Sequence, residues 1–281
     1  MKLLHFLYHM GITFDSAVKD HHFTLKCLPK DTGQQRIESL AYKVYPNRFI
    51  SRSVDSFGNE SIYGVCEDVH NCFTVEVEGI VQTGFSSRKI AATDKIYEDN
   101  REIYKYQTPH TTPGTALSEY HDILGGETEL IDKTDTEKEA FSRAAFYMHR
   151  LWKDYVYVSG ATEITTTAEE AFAIGHGVCQ DYAHILLSLC RMDHIPCRYV
   201  VGMLLGEGLS HAWVDIWSGG TWWALDPTHD REVGEDYIRI SVGRDYKDCL
   251  LNQGVFTGIA GKVKQSQDIH ITVEEMENGN L

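Results

Sequence analysis

The sequence predicts an α+β protein in two parts: a β-rich N-terminal domain over residues 1–125, and a domain over residues 126–281 whose helices pack on a mostly antiparallel sheet. Three features indicate this order. Apolar and polar residues alternate in the first part, apolar residues recur at helical spacing from about residue 134, and extended apolar runs return after residue 196. The chain has 281 residues, 42% of them hydrophobic, so it can bury a substantial core.

The N-terminal part is predicted to consist of strands and turns. Segments 38–45, 61–65 and 72–81 are rich in β-branched and aromatic residues, which is typical of strands. Phe57-Gly-Asn59 predicts a turn between two of them. Residues 107–129 contain two prolines and a Gly-Gly pair, and we interpret this stretch as a linker. No set of residues in this part suggests catalysis.

Three helices are predicted after the linker. The first is capped by Thr134 or Thr136 and runs towards Val156, with apolar residues on one face. The second begins at Thr167-Ala-Glu-Glu170, which has the pattern of a capping box. The third has an apolar stripe and carries Cys179 in its first turn.

Strands follow the third helix. The apolar run 197–205 is typical of a central strand, and residues 237–242 and 269–276 supply two more. Between them, segments 211–217 and 221–226 flank a Ser-Gly-Gly turn and predict a hairpin. Helices followed by these strands indicate a layer of helices on an antiparallel sheet.

The register of this hairpin decides whether His211 and Asp226 can meet. A two-residue turn at Gly219-Gly220 makes them diagonal neighbours on one face, and a four-residue loop over 217–220 sets them directly opposite each other. Only a slip of one residue puts them on opposite faces. Two of the plausible registers therefore pair an imidazole with a carboxylate.

Four of the five tryptophans lie in the same hairpin. Strand alternation puts Trp213, Trp217 and Trp222 on the face of His211, whereas Trp223 faces the other way. We expect most of them to be core residues, although one could line the cleft or donate its indole N–H to a reacting oxygen.

Cys179 has the position of an activated nucleophile. A helix N-terminus and a neighbouring imidazolium both favour a thiolate, and the unpaired N–H groups of a first helical turn can hold an oxyanion. Gly177 removes side-chain bulk just before it. His211 would deprotonate Cys179 and later protonate the leaving amine, while Asp226 would orient His211.

Four motifs in this part of the chain form a recognisable set. They are Gly177-Val-Cys-Gln-Asp-Tyr-Ala-His184, Ile195-Pro-Cys-Arg-Tyr199, His211-Ala-Trp-Val-Asp215 and Trp223-Ala-Leu-Asp-Pro-Thr228. In this order they resemble the transglutaminase-like superfamily, in its bacterial cysteine protease branch. Gly243-Arg-Asp-Tyr246 and Asp55-Ser-Phe-Gly-Asn59 extend the resemblance over essentially the whole chain. The resemblance implies a papain/transglutaminase-like core preceded by a β-rich transglutaminase-like N-terminal domain.

Residue by residue, the family's nucleophile falls on Cys179, its general base on His211 and its third member on Asp226. We therefore expect an enzyme with a Cys-His-Asp triad that acts on amide bonds of peptides or proteins through a thioester, most simply a peptidase or amidase. One alternative is a protein-glutamine transglutaminase with the same chemistry. Another is a binding or scaffold protein on the same fold without catalysis.

Other polar residues near these motifs are given structural roles. His176 and His184 flank the cysteine without the spacing of a zinc site, and His184 is expected to be packed or to cap a neighbour. Asp181 is assigned a structural role at the helix start. His229 and Asp230 follow Asp226 on a loop and could touch the site, but no role is assigned to them.

Composition excludes several partners. With 26 Lys and Arg against 41 Asp and Glu, the net charge of −15 disfavours nucleic acids and acidic membranes. The uncharged stretch 3–14 is too short for a membrane helix, so we expect a soluble cytoplasmic protein. Six of the seven cysteines are expected to be bystanders. We predict no cofactor and no metal; without a calcium loop in the sequence, activity should not depend on chelators. The oligomeric state cannot be read from the sequence.

Overall fold

The computed structural model describes residues 1–84, 101–128 and 139–276. Its helices are α1 Thr115–Thr128, α2 Glu139–Asp154, α3 Ala168–Ile174 and α4 Cys179–Met192, with 3₁₀ turns at Arg101–Lys105 and Tyr246–Cys249. Its strands are β1 Lys2–Leu25, β2 Gln35–Tyr45, β3 Phe49–Val54, β4 Glu60–Cys66, β5 His70–Thr83, β6 Val156–Tyr157, β7 His176–Gly177, β8 Cys197–Leu204, β9 Gly206–Gly208, β10 His211–Ser218, β11 Thr221–Asp226, β12 Arg231–Glu232, β13 Tyr237–Gly243, β14 Asn252–Gly258 and β15 Gln265–Glu275. The predicted α+β class is confirmed.

The longest strand, β1, organises a large sheet. Its even-numbered residues alternate inward and are buried: Leu4, Phe6, Tyr8, Met10, Ile12 and Phe14. The uncharged start of the chain is therefore a strand. Irregularities in its pairing after Thr13 and after Lys19 allow β1 to pair with β5 and β15 along its first half, and with β4 and β14 along its second.

Within the described residues this sheet has eight strands, in the order β2-β5-β1-β15-β9, with β4 and β14 also on β1 and β3 on β4. The strand predicted at 269–276 exists, but it pairs with β1 and lies outside the sheet that carries the hairpin. Buried Ile271 and Val273 fill the core under β1, which accounts for this placement. The division of the chain at residue 125 stays a prediction, and the large sheet takes strands from both sides of it.

A second, antiparallel sheet has the order β12-β11-β10-β8-β13. Residues Ala212, Val214 and Ile216 of β10 face the buried helix α4 and belong to the main core. The opposite face carries Trp213 and Tyr237, which form a smaller core. This sheet of five described strands is thus covered by helices on one side, as predicted.

The linker predicted at 107–129 is wrong, because α1 occupies its second half. The Glu169 carboxylate caps this helix by accepting hydrogen bonds from the backbone N–H groups of Gly114, Ala116 and Leu117, at 2.8, 2.8 and 3.0 Å. Glu169 lies about 50 residues further along the chain, so no local sequence pattern predicts the start of this helix. The Gly-Gly pair weakens the local helical signal further.

The other helices follow the predictions. Helix α3 has the capping box of Thr167 and Glu170, and Gly175 ends it in the left-handed conformation with φ of 82°. Helix α2 is present, while the proposed caps Thr134 and Thr136 lie outside the described residues. None of the described helices is long and apolar enough to span a membrane.

Candidate active site

Cys179 is the first residue of α4 and is partly exposed. Val178 precedes it in an extended conformation and provides no side-chain cap. The first N–H groups of a helix have no acceptor within the helix, so this end presents donors beside the sulfur. The position predicted for Cys179 in the first turn is confirmed.

Asp181 fixes the turn that carries Cys179. One carboxylate oxygen of Asp181, Oδ2, accepts hydrogen bonds from the backbone N–H of Val178 at 2.7 Å and from the Thr162 hydroxyl at 2.6 Å. Burial raises the pKa of Asp181, although these two hydrogen bonds oppose the rise. A Cβ atom at Gly177 would lie 2.4 Å from Asp181 Oδ2 and 2.4 Å from the Tyr155 hydroxyl oxygen, so this glycine makes room for these two groups. Asp181 thus has the structural role expected of it.

The hairpin adopts the register with a two-residue turn. Val214 pairs with Leu225 and Ser218 with Thr221. Gly219 and Gly220 have φ of 58° and 77°, in the left-handed region. A two-residue hairpin turn of type I′ requires positive φ at both positions. Of the two registers that the sequence leaves open, this one makes His211 and Asp226 diagonal neighbours on one face.

His211 lies between Asp226 and Cys179. The Nε2–H of His211 donates to Asp226 Oδ2 at 2.8 Å, and the Cys179 side chain lies near the same imidazole. Burial by itself would lower the pKa of His211, but the hydrogen bond to Asp226 and the nearby Cys179 side chain outweigh it and raise this pKa to about 9. The three residues singled out in the sequence are therefore brought together.

Asp226 is fully buried and accepts several hydrogen bonds. Besides His211, its Oδ2 accepts from His229 Nδ1 at 2.7 Å and from the Tyr237 hydroxyl at 2.6 Å. Its Oδ1 accepts from the backbone N–H of Thr228 at 3.0 Å. Burial favours the protonated acid, yet the hydrogen bonds from His211 and His229 hold the pKa of Asp226 below its usual range. The carboxylate is thus ionised and fixed in place.

His229 and Tyr237 are the two members of this site to which the sequence assigned no role. His229 stands three residues after Asp226, a spacing that allows contact within a turn, and this was its only signal. Tyr237 arrives from β13, a separate strand, and its hydroxyl also accepts from Arg231 Nε at 2.8 Å. Asp230 points elsewhere and accepts from His149 Nδ1 of α2 at 2.7 Å.

Among the described residues, one group of side chains has the spacing of metal ligands: His211, Asp226 and His229, whose ligand atoms lie within 4.8 Å of one another. Both imidazoles are hydrogen-bonded to the Asp226 carboxylate, which accounts for the spacing of the three groups. His184, considered and rejected as a ligand, is fully buried and accepts from the backbone N–H of Tyr246 at 3.2 Å.

The tryptophans follow the parity expected from the register. Trp213 packs on His211 and Tyr237, with ring centroids 6.4 and 5.5 Å apart. Trp223 lies on the opposite face and packs on Phe141 of α2 at 4.8 Å. Trp213 therefore covers one side of the His211 imidazole, while Trp223 packs the second sheet against helix α2.

Comparisons with known proteins agree with this fold. Sequence models of two families match the chain: the transglutaminase-like superfamily over residues 128–227 and the bacterial transglutaminase-like N-terminal region over residues 4–82. The crystal structure of a "putative cysteine protease" from Cytophaga hutchinsonii superposes with a TM-score of 0.74 at 20% identity, covering 100% of this chain and 93% of that one. At this identity the likeness shows a shared fold.

Relatives in mycobacteria are uncharacterized. One from Mycobacterium leprae is 40% identical over 128 residues, and the match spans 42% of this chain and only 44% of that protein. Another from Mycobacterium tuberculosis is 26% identical over 230 residues, covering 73% of this chain and 71% of that protein. The resemblance seen in the motifs is confirmed: the protein has a core of the transglutaminase-like superfamily over residues 128–227, preceded by a bacterial transglutaminase-like N-terminal region over residues 4–82.

Proposed function

We propose that the protein hydrolyses amide bonds of peptides or proteins with Cys179 as nucleophile, His211 as general base and Asp226 as the residue that orients His211. One observation carries this assignment: the His211 imidazole is hydrogen-bonded to the buried Asp226 carboxylate and lies near the Cys179 side chain at the start of a helix. In such an arrangement the imidazole is placed to take the thiol proton as the sulfur attacks.

The reaction has two halves. His211 takes the proton of the Cys179 thiol, the sulfur forms a bond to the amide carbonyl carbon, and the carbonyl electron pair moves to oxygen. The tetrahedral species collapses, the carbon–nitrogen bond breaks, and the leaving amine takes the proton held by His211. Water then attacks the thioester with His211 as base, the carbon–sulfur bond breaks, and a carboxylic acid and the free thiol result.

The backbone at the start of α4 would stabilise the oxyanion. Its first N–H groups lack acceptors in the helix and carry the positive end of the helix dipole. The hydrogen bond from the Val178 N–H to Asp181 sets the direction of this turn. Donors held in place before the reaction stabilise developing charge without reorganising during it.

Water is the acyl acceptor that we propose, because it needs no binding groove for a second substrate. A primary amine that took its place would make the protein a transglutaminase. Methylamine added to the assay distinguishes the two: hydrolysis predicts free acid as the main product, whereas transamidation predicts the N-methyl amide and an increased turnover.

Selective alkylation tests the nucleophile. All seven cysteines are free, five are buried, and Cys72 is partly exposed like Cys179, so it serves as the matched control. Iodoacetamide followed by peptide mapping should label Cys179 about 10-fold or more faster than Cys72, since only Cys179 has an imidazole beside a helix start. Equal rates would contradict the assignment.

Activity provides the second test. Turnover of a peptide and glutamine-amide library should vanish in Cys179→Ala and persist in Cys72→Ser. Amidase activity that survives Cys179→Ala would refute the role given to Cys179. No turnover by the wild type would leave a binding or scaffold role. For location we propose the cytoplasm, because free thiols such as these seven persist in a reducing compartment.

A further inference from the structure

A short strand runs beside the turn that carries the nucleophile. Strand β6 pairs in parallel with β7, so that Tyr157 lies opposite Gly177, two residues before Cys179. The backbone N–H of Val158 donates to the Gly177 carbonyl at 2.8 Å and extends this pairing. Tyr157 is thus held by the backbone next to the start of α4.

The loop after β6 is fastened to the same helical turn. The Thr162 hydroxyl donates to Asp181 at 2.6 Å, and the Gln180 side-chain amide donates to the Ile164 carbonyl at 3.2 Å. With β7 on one side and these contacts on the other, the position of Tyr157 relative to Cys179 is set from both directions.

The Tyr157 side chain is available to a substrate. The residue is 52% exposed, and in the described part of the chain its hydroxyl has no hydrogen-bond partner. Burial of the ring, and after it the nearby Cys179 side chain, raise the pKa of Tyr157, so the phenol keeps its proton at neutral pH. The Tyr182 hydroxyl differs, because it donates to the Tyr155 carbonyl at 2.7 Å.

We propose that the Tyr157 hydroxyl is the side-chain donor of the oxyanion site, acting with the first N–H groups of α4. As the Cys179 sulfur bonds to the carbonyl carbon, the electron pair that moves to oxygen accepts a hydrogen bond from this hydroxyl, and the proton stays on tyrosine. The hydrogen bond weakens when the carbonyl forms again and the leaving group departs. This inference rests on the proposed function.

Two reagents that react with the Cys179 thiol distinguish formation of the oxyanion from reactivity of the thiol itself. 4-Nitrophenyl acetate acylates a thiol through a tetrahedral species with an oxyanion, whereas iodoacetamide alkylates it by displacement without one. Loss of one oxyanion donor typically lowers an acyl-transfer rate about 100-fold. Tyr157→Phe should therefore slow acylation of Cys179 about 100-fold and change its alkylation less than about twofold. Cys179→Ala supplies the blank for acylation elsewhere.

Control variants separate a donor from a packing role. Tyr45→Phe removes the hydroxyl of another exposed tyrosine, in β2 of the large sheet, and should change neither rate. Cys179 should be acylated as slowly in Tyr157→Ala as in Tyr157→Phe, because both variants lack the hydroxyl. The inference is overturned if Cys179 of Tyr157→Phe is acylated at the wild-type rate. It is also overturned if acylation and alkylation are slowed equally in this variant.

Failure of the proposed function has a different signature. In that case Cys179 of the wild type reacts with iodoacetamide no faster than Cys72, before any tyrosine is changed. Selective alkylation of Cys179 together with unchanged acylation in Tyr157→Phe refutes the tyrosine and leaves the nucleophile intact.

Discussion

Two carboxylates in the second sheet are equally buried but accept hydrogen bonds from different kinds of side chain. Asp215 of β10 and Asp226 of β11 are both fully buried. Asp215 accepts from Arg198 Nε at 2.9 Å and from two guanidinium nitrogens of Arg239 at 2.5 and 2.8 Å. Asp226 accepts from two imidazoles and a phenol.

The difference teaches that burial does not decide what a buried acid does. Burial favours the protonated form of both acids, and in both the partners prevail and lower the pKa. Arginine does not release its proton, so the charges around Asp215 are permanent. The side chain of Arg198 also stacks on Trp222, 4.2 Å from the ring centroid. Histidine exchanges protons near neutral pH, so the network around Asp226 can take part in proton transfer.

The largest effect is expected from Asp226→Asn. An amide has almost the same shape but cannot stabilise an imidazolium, and it can favour the wrong tautomer of His211. In a comparable triad such a change costs about 10⁴-fold in turnover. We expect kcat/KM for amide hydrolysis to fall about 10³- to 10⁴-fold. A loss of less than about tenfold, in protein shown by circular dichroism to be folded, would contradict the role given to Asp226.

The Asp215→Asn variant should show the reverse pattern. It leaves two largely covered guanidinium groups, with side chains 12% and 11% exposed, without a full counter-charge. Breaking a buried ion pair in this way typically costs about 3 to 5 kcal/mol of unfolding free energy. Urea unfolding measures this loss. Alkylation of Cys179, counted per folded molecule, should stay within about threefold of the wild type.

A rescue variant tests whether charge is the reason. Replacing Asp215 by Leu together with Arg198→Met and Arg239→Met removes all three charges and keeps apolar volume, which is often neutral or stabilising. We expect this triple variant to recover most of the stability lost in Asp215→Asn. If it remains as unstable as Asp215→Asn, packing rather than charge holds this part of the sheet.

Much of the network around Asp226 could be predicted from the sequence, because it depends on local rules. Strand alternation and the Gly-Gly turn offered two registers that pair His211 with Asp226. The position of Cys179 followed from the helical stripe after it. What remained open was the choice of register, which depends on turn geometry: both glycines adopt positive φ, and this selects the two-residue turn.

The remaining contacts depend on the order of strands, which the sequence does not contain. Tyr237 meets Asp226 only because β13 joins the sheet beside β8. The same holds for Arg239, which reaches Asp215 from that strand. Glu169 caps α1 from another helix, and β15 pairs with the first strand of the chain. Long-range pairings of this kind leave no periodic trace in either partner.

An effect of intermediate size is expected from pH. The pKa of His211 rises from 6.5 to about 9 on folding, so the protonated imidazole stabilises the native state. This contribution is complete below pH 6.5 and is lost as the pH rises through 9. It corresponds to at most about 3 kcal/mol. Arginine keeps its charge throughout this range, so the cluster at Asp215 should not contribute.

Urea unfolding at pH 6 and at pH 9.5 tests this difference. Between pH 6 and pH 9.5 the free energy of unfolding of the wild type should fall by up to about 3 kcal/mol more than that of His211→Gln. All other titrating groups are present in both proteins, so their contributions cancel in this comparison. The same comparison with Arg239→Met as the reference should show no such excess. Parallel stability curves for wild type and His211→Gln would show that His211 gains no proton affinity on folding.

The smallest effect concerns His229, the partner of Asp226 that reaches solvent with 42% of its side chain exposed. Its bond to Asp226 is one of several on the same carboxylate, and a single hydrogen bond contributes about 1 kcal/mol net, or about fivefold in rate. His229→Ala should lower kcat/KM about three- to tenfold through a less firmly held Asp226. Glutamine can donate to the carboxylate but does not titrate, so His229→Gln should restore most of the rate. Equal losses in both variants would mean that the ring itself, and not its hydrogen bond, holds Asp226.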